Sequence, residues 1–118
     1  MPKWKVEQTL GNFVGHIHFQ VRDTDGKVIG EAVLEHCKKN RVEFTHFLVN
    51  RKYRGEGIGH AILTKMCKWL DKHNATCESY VSEFDNGDMD NGVLMAWYMQ
   101  FGFVCTNKFN LTILRKPK

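Results

Sequence analysis

The chain has 118 residues, of which 42% are hydrophobic and 25% are charged, and its formal net charge is +4. This length predicts one domain over residues 1–118, and the composition is that of a globular protein rather than a disordered chain. No apolar run approaches the ~20 residues of a membrane helix, and the start, MPKWKVEQTL, lacks the apolar core of a signal peptide. The cysteines are scattered without CxxC spacing, which is typical of reduced thiols rather than of disulfides or a zinc site. We therefore expect a cytoplasmic protein without a metal.

The first half of the chain predicts strands joined by short polar turns. Apolar and polar residues alternate along these segments, which is the pattern of half-buried strands. The stretch DTDGK at residues 23–27 predicts a hairpin turn, with Gly26 where a positive φ is needed. We place a short lead-in strand and a three-stranded antiparallel meander at Trp4–Glu7, Asn12–Arg22, Val28–Cys37 and Arg41–Val49.

The second half predicts two helices, each followed by strands. From Gly57, an apolar face recurs at helical spacing, and Asn74 suits the end of this helix. The face consists of Ile58, Ile62, Met66, Trp69 and Leu70. Beyond it we expect a strand at Thr76–Ser82, a polar loop at Glu83–Asp88, a helix at Gly92–Phe101 and a hairpin of Phe103–Thr106 with Lys108–Arg115. The order βββ-α-β-α-ββ predicts an α+β fold with a mixed, mostly antiparallel sheet and two main helices.

The turn between the third meander strand and the first helix is basic and rich in glycine. Gly55, Gly57 and Gly59 stand at alternate positions, where they let the backbone turn tightly and bring its amides close to an anion. The start of the helix adds its unpaired amides and the positive end of its dipole. The turn therefore predicts a phosphate-binding site.

Two common phosphate motifs do not fit this turn. A P-loop needs GxxxxGK[ST], and no Lys-Ser or Lys-Thr follows these glycines. A dinucleotide fingerprint needs GxGxxG within a βαβ unit, but His60 follows Gly59 and the preceding strands read as antiparallel. A third pattern, [QR]xxGxG, fits the segment from Arg54 to Gly59, and a plain structural turn is the remaining alternative.

This segment resembles the acyl-CoA signature of the GNAT superfamily of N-acetyltransferases. The later motif of that family is also matched, because Tyr98 follows Asn91 by seven residues and Gly102-Phe103 follows four residues later. The resemblance covers about Glu43 to Phe103 and implies a GNAT-like acyl-CoA N-acyltransferase fold. GNAT domains usually carry two helices between the first strand and the meander. This chain has no room for them, so it resembles a shortened member.

The resemblance implies which residues bind acetyl-CoA as cosubstrate. The main chain of Leu48 and Val49 is expected to bind the pantetheine arm, together with Asn91, which also suits a helix cap. Arg51 and Lys52 fit either the 3′-phosphate or a solvated loop. The pyrophosphate would be bound by Arg54, Gly55, Glu56, Gly57, Ile58, Gly59 and His60.

The resemblance and the chemistry of acetyl transfer also suggest catalytic residues. Tyr98 matches the tyrosine that protonates the leaving thiolate in the family. The base that deprotonates the amine is Glu43, His46 or a chain of waters. In a regular strand Glu43 shares a face with Thr45, Phe47 and Val49, and His46 points to the other face. His16 and His18 share a strand face at metal-like spacing, but without a third ligand we interpret them as sheet residues.

The function implied is an acetyl-CoA-dependent N-acetyltransferase acting on a primary amine. The acidic stretch Glu83–Asp90 suggests a cationic acceptor, such as a lysine side chain, a protein N-terminus or a polyamine. One alternative is an acyl-CoA-binding regulatory module without turnover. Another is a nucleic-acid binder using the basic tail LRKPK, which leaves the glycine turn unexplained. No membrane partner is expected, and a homodimer is compatible with this reading.

Overall fold

The structure, a computed structural model, describes residues 5–10, 15–53, 55–80, 91–107 and 112–118. The strands are β1 (Val6–Leu10), β2 (His16–Arg22), β3 (Val28–Lys38), β4 (Arg41–Val49), β5 (Thr76–Tyr80), β6 (Val104–Asn107) and β7 (Thr112–Arg115). The helices are α1 (Ile58–Lys72) and α2 (Asn91–Met99), and a short 3-10 helix spans Arg51–Tyr53.

These strands form a single mixed sheet in the order β1-β2-β3-β4-β5-β7-β6. Strands β4 and β5 are parallel, and the other neighbouring pairs are antiparallel. The right-handed crossover expected for a parallel pair is supplied by α1, which links β4 to β5. The predicted mixed, mostly antiparallel sheet with two main helices is confirmed.

The lead-in strand lies later than the sequence predicts. Strand β1 spans Val6–Leu10 rather than Trp4–Glu7, and it pairs with β2 as the edge of the sheet. Its alternation is weak because Gln8 stands opposite the core residue Phe19. Residues 11–15 alone separate β1 from β2, which leaves no space for a helix pair at this point.

Both described helices pack on the same face of the sheet. Helix α1 buries an apolar stripe over β2 and β3, where a Cβ on Gly30 would meet Ile58 and Ile62 at 2.8 and 3.0 Å. Helix α2 lies beside it, with Trp97 stacked on Phe47 of β4. This face holds the hydrophobic core. Each fully buried Leu or Ile in it contributes about 1.5–3 kcal/mol to the stability of the fold. The largest aliphatic members of the core are Leu34, Ile58, Ile62, Leu63, Met66, Leu70 and Ile113.

The opposite face of the sheet has no helix over it within the described ranges. We call it the open face. Residues that oppose each other in neighbouring strands point to the same side, so the register assigns its members. They include His16, His18, Gln20, Glu31, Glu35, Glu43, His46, Leu48 and Glu78.

The ends of the helices follow the predicted signals. Gly57 is the N-cap of α1, one residue before its first helical position, and Asn74 adopts φ 53° just past its end. Helix α2 spans Asn91–Met99 rather than the predicted Gly92–Phe101, and Gly102 with φ 96° turns the chain into β6. The predicted loop at 83–88 lies outside the described residues. Neither helix is long and apolar enough to cross a membrane within the part of the chain that the structure describes.

Candidate functional site

Two of the three glycines in the turn are required by backbone conformation. Gly55 and Gly57 adopt φ of 88° and 83°, which L-residues with a side chain rarely adopt. A Cβ at either position would meet nothing within 4 Å, so space is not the constraint. These residues bend the chain sharply from the 3-10 helix into α1.

The start of α1 presents unused amides beside this turn. The first intrahelical hydrogen bond runs from the Ala61 amide to the Gly57 carbonyl, at 3.0 Å. The amides of Ile58, Gly59 and His60 precede it and are therefore directed out of the helix end. No acidic residue stands in the first turn, so the positive end of the dipole is not neutralised from within. This geometry suits an anion such as a phosphate.

Gly59 serves a different purpose from the one that the sequence suggests for all three glycines. A Cβ here would lie 3.3 Å from Cζ of Phe47 and 3.5 Å from Cη2 of Trp97. Those two rings are stacked, with centroids 5.9 Å apart. A glycine at this position therefore lets α1 approach the aromatic pair that joins β4 to α2.

Among the described residues, β4 and β5 pair from Arg41 opposite Thr76 to Phe44 opposite Ser79. The Ser79 hydroxyl donates a buried hydrogen bond to the Phe44 carbonyl at 2.8 Å, which fixes the last paired position. Beyond it, β4 continues to Val49 toward the glycine turn without a β5 partner among the described residues, and we call the space beside this part of β4 the opening.

A β-bulge in β4 corrects the predicted placement of two candidate bases. Leu34 opposes Phe44 whereas the adjacent Val33 opposes His46, which leaves Thr45 as the extra residue. The alternation reverses at this point. Glu43 and His46 therefore share the open face, and Phe47 and Val49 lie on the helix face. The regular-strand prediction, which put Glu43 with Phe47 and His46 opposite, is wrong because it allowed for no bulge.

The open face carries a linked group of side chains centred on Glu31. One carboxylate oxygen of Glu31 lies 3.0 Å from Nδ1 of His18 and also accepts a hydrogen bond from Gln20. The other oxygen lies 3.8 Å from Nε2 of His46. Burial raises the pKa of Glu31, but the hydrogen bonds from Gln20 and His18 outweigh it, so the net pKa lies below its ordinary value. Glu31 is therefore a carboxylate at neutral pH.

The histidine, cysteine and carboxylate side chains were predicted to form neither a metal site nor a disulfide. Across the described ranges, no group of three or more His, Cys, Asp or Glu side chains is arranged to hold a metal ion. The cysteines are free thiols, of which Cys67 and Cys77 are buried, and burial raises the pKa of both.

A comparison with protein-family models matches residues 15–105 to the acetyltransferase (GNAT) domain. The chain belongs to the GNAT acetyltransferase family. The match includes the meander, the glycine turn, α1 and α2, so the motifs that carried the resemblance lie within it. No curated protein sequence matches significantly.

Solved structures of GNAT proteins share the fold at low sequence identity. A GNAT acetyltransferase from Elizabethkingia anophelis with acetyl-CoA bound aligns over 98% of this chain and 99% of its own, with 12% identity and a TM-score of 0.73. The ribosomal-protein-S18-alanine N-acetyltransferase from Escherichia coli aligns over 89% and 71%, with 16% identity and a TM-score of 0.71. A GNAT acetyltransferase from Staphylococcus aureus Mu50 aligns over 88% and 69%, with 17% identity and a TM-score of 0.67. The first of these shows that the fold exists at this chain's length.

In this GNAT chain, most of the predicted cofactor residues lie together at the opening. Leu48 and Val49 end β4 on opposite faces, and Gly55 to His60 follow within the turn and the first turn of α1. Arg54, the side chain of Asn91 and the acidic stretch at 83–90 lie outside the described residues. Asn91 is the first residue of α2.

Tyr98 lies inside the core on the helix face. Its ring packs edge-on against Phe44 and Phe103, with centroids 6.1 and 5.8 Å away, and its side chain is fully buried. Burial raises the pKa of the hydroxyl, which stays protonated across the working range of a protein. Tyr98 is therefore a buried, protonated tyrosine that packs beside β4 on the helix face.

Sequence reasoning missed the group around Glu31. His18 and Gln20 alternate along one face of β2, but Gln20 opposes Glu31 only because the register shifts between Arg22 and Val21. A regular hairpin from the turn at 23–27 would place Gln20 opposite Gly30. The approach of His46 depends on the bulge at Thr45, which alternation alone does not reveal.

Proposed function

We propose that this GNAT chain is an acetyl-CoA-dependent N-acetyltransferase that transfers an acetyl group to a primary amine by direct attack. The observation that carries the proposal is the opening beside β4, next to the glycine turn and the start of α1. In this proposal the amides from Gly55 to His60 bind the pyrophosphate, with charge from Arg54. The pantetheine arm lies in the opening against Leu48, Val49 and Asn91. The acetyl-CoA in the Elizabethkingia anophelis protein, of nearly the same length, supports this cosubstrate.

The acceptor in this proposal is cationic, such as a lysine side chain, a protein N-terminus or a small polyamine. It approaches from the open face, opposite the helices, where Glu31 and Glu43 lie. The charge of Glu31 beside the opening, with Glu43 further along the same face, favours an ammonium group over a neutral or anionic acceptor. The acidic stretch at 83–90 would add to this attraction.

The chemistry requires three events at the opening. The ammonium group loses a proton, because less than ~0.1% of a lysine-like amine is neutral at pH 7. The free amine attacks the thioester carbon, and main-chain amides near Val49 stabilise the oxyanion. When the carbon–sulfur bond breaks, the thiolate takes a proton from Tyr98. The two side chains on the open face at this point, Glu43 and His46, are the candidate bases.

One experiment tests the proposal in two stages. Calorimetry with acetyl-CoA measures cosubstrate binding, and release of free thiol is then followed across a panel of primary amines. Binding with release on a cationic amine supports the proposal. Binding without release on any amine would favour an acyl-CoA-binding module, and absence of binding would reject both.

The glycine turn supplies a sharper prediction for cosubstrate binding. Gly57→Ala should weaken acetyl-CoA binding about tenfold, because a side chain disfavours the φ of 83° that aims the amides at the pyrophosphate. Calorimetry measures the change. Gly26→Ala is the matched control, since Gly26 has φ 85° with open space around it but lies in the β2–β3 turn. Both variants should lose about 1–2 kcal/mol of stability. Equal affinities in the two variants would show that the turn does not bind acetyl-CoA.

A further inference from the structure

We propose that His46 is the base that deprotonates the acceptor amine. In this proposal Glu31 positions the His46 ring and stabilises the imidazolium that forms. The inference deepens the acetyl transfer proposed above and rests on it. It selects His46 over Glu43, the other candidate base on the open face. It also gives a role to the carboxylate of Glu31 on β3.

The location of His46 favours it over Glu43. His46 follows the bulge directly, past the last position at which the described residues of β4 and β5 pair, and its side chain is 48% exposed on the open face. Glu43 lies before that point, within the paired part of the sheet, between Glu35 on β3 and Glu78 on β5. An amine that approaches the opening from the open face therefore reaches His46 first.

One carboxylate oxygen of Glu31 faces His46, and the other is held by β2. Both β2 side chains, His18 and Gln20, bind the same carboxylate oxygen, which holds the group in one orientation. The remaining oxygen lies 3.8 Å from Nε2 of His46, a distance for an ionic contact but longer than a hydrogen bond. Glu31 thus acts on His46 as a fixed negative charge that stabilises the imidazolium formed when the proton is taken up.

The step balances with these groups alone. An ammonium N–H bond breaks, its proton moves to a ring nitrogen of His46, and the lone pair left on the nitrogen forms the bond to the thioester carbon. When the carbon–sulfur bond breaks, its electron pair leaves with the thiolate, which takes a proton from Tyr98. The nitrogen then loses its second proton, which passes through water and restores the Tyr98 hydroxyl. His46 is half exposed and returns its own proton to water, so no further reactant is needed.

Other charged groups face His46 and enter any pH dependence. From β2 and β3 they are His16, His18, Glu31 and Glu35, and from β4 and β5 they are Arg41, Glu43 and Glu78. Arg41 and Glu78 pair with each other at 2.8 Å, and His16 lies 3.8 Å from Glu35. Glu31 is the carboxylate paired with His46 among the described residues.

The test is the pH profile of kcat/KM with acetyl-CoA and the best amine of the panel. His46→Gln should lose about 10²–10⁴-fold at pH 7 and recover steadily as the pH rises and the free amine accumulates. Glu31→Gln should lower kcat/KM by acting through His46, so the double variant Glu31→Gln/His46→Gln should lose no more activity than His46→Gln alone. A merely structural role of Glu31 would instead add its own loss to that of His46→Gln.

Controls separate this inference from the function on which it rests. His16→Gln removes a histidine with the same 3.8 Å contact to a glutamate, but away from the opening, and should leave the profile unchanged. Calorimetry with acetyl-CoA and circular dichroism show that each variant binds and folds. A wild-type profile in His46→Gln, or loss of the acid limb in Glu43→Gln alone, would overturn the proposal. Absence of thiol release by the wild type on every amine would instead reject the acetyl transfer itself.

Discussion

Tyr98→Phe is expected to lower kcat by about 10²–10⁴-fold while acetyl-CoA affinity stays within a factor of two or three. The variant keeps the ring, which packs against Phe44 and Phe103, and removes only the hydroxyl to which we assign protonation of the thiolate. Because burial raises the pKa of Tyr98, the hydroxyl remains protonated over the assay range. Titration of Tyr98 should therefore add no alkaline limb to the pH profile of kcat. Steady-state kinetics with thiol detection measure kcat, and calorimetry measures affinity.

The control for this change is a stability measurement together with a second tyrosine. Removing one buried hydroxyl changes the free energy of unfolding by about 1 kcal/mol. A large loss of kcat with so small a change in stability cannot come from unfolding. Tyr53→Phe removes a hydroxyl from the 3-10 helix and should leave kcat unchanged. If Tyr98→Phe keeps wild-type kcat, then Tyr98 is a core residue alone and the thiolate leaves unprotonated or takes its proton from water.

The sequence predicted those backbone features of the candidate site that depend on short-range patterns. The glycine turn, the start of α1 and the end of α2 follow from φ requirements and helix caps, which act within a few residues. The family motifs at Arg54–Gly59 and Asn91–Phe103 then supplied the ligand, which the glycines could not do. Local patterns and family motifs together therefore allowed the fold class and the cosubstrate to be predicted from the sequence.

The arrangement of the open face was not accessible in the same way. A bulge costs one unpaired residue at Thr45, and nothing in the residues FTHF marks it in advance. Its effect is large, because a shift of one residue moves every later side chain to the other face. The strand register set by this bulge brings His46 next to Glu31. The sequence patterns around either residue do not predict this contact.

Gly59 illustrates a second limit. Three glycines at alternate positions suggested one common role, but the side chains that require the third lie in other elements, at Phe47 and Trp97. Local sequence patterns do not predict the packing between segments that are distant in the chain. The weak alternation of β1 has the same origin, because an edge strand is only partly covered by the core.

Asp71→Ala is expected to destabilise the fold by about 3 kcal/mol, because it leaves the charge of Arg115 buried without its partner. The guanidinium is 2% exposed and bonds both oxygens of Asp71, at 2.9 and 3.2 Å. It also donates to the Phe101 carbonyl at 2.7 Å, so one side chain joins the end of α1 to the turn after α2. Chemical denaturation measures the loss. Glu78→Ala breaks a contact of 2.8 Å with Arg41, but both partners are about a third or more exposed, so at most ~1 kcal/mol should be lost.

The same pair should make stability sensitive to acid in a predictable direction. Hydrogen bonds from Arg115 hold the pKa of Asp71 below its ordinary value of 3.8. A carboxyl whose pKa is lowered by folding stabilises the native state fully above its unfolded pKa and loses that contribution as the pH falls through the lowered value. The difference in unfolding free energy between wild type and Asp71→Ala should therefore be constant above ~pH 5 and shrink as the pH falls below it. A difference that stays constant down to ~pH 2 would show that Asp71 acts through packing at the end of α1, since the ionic contribution must disappear on protonation.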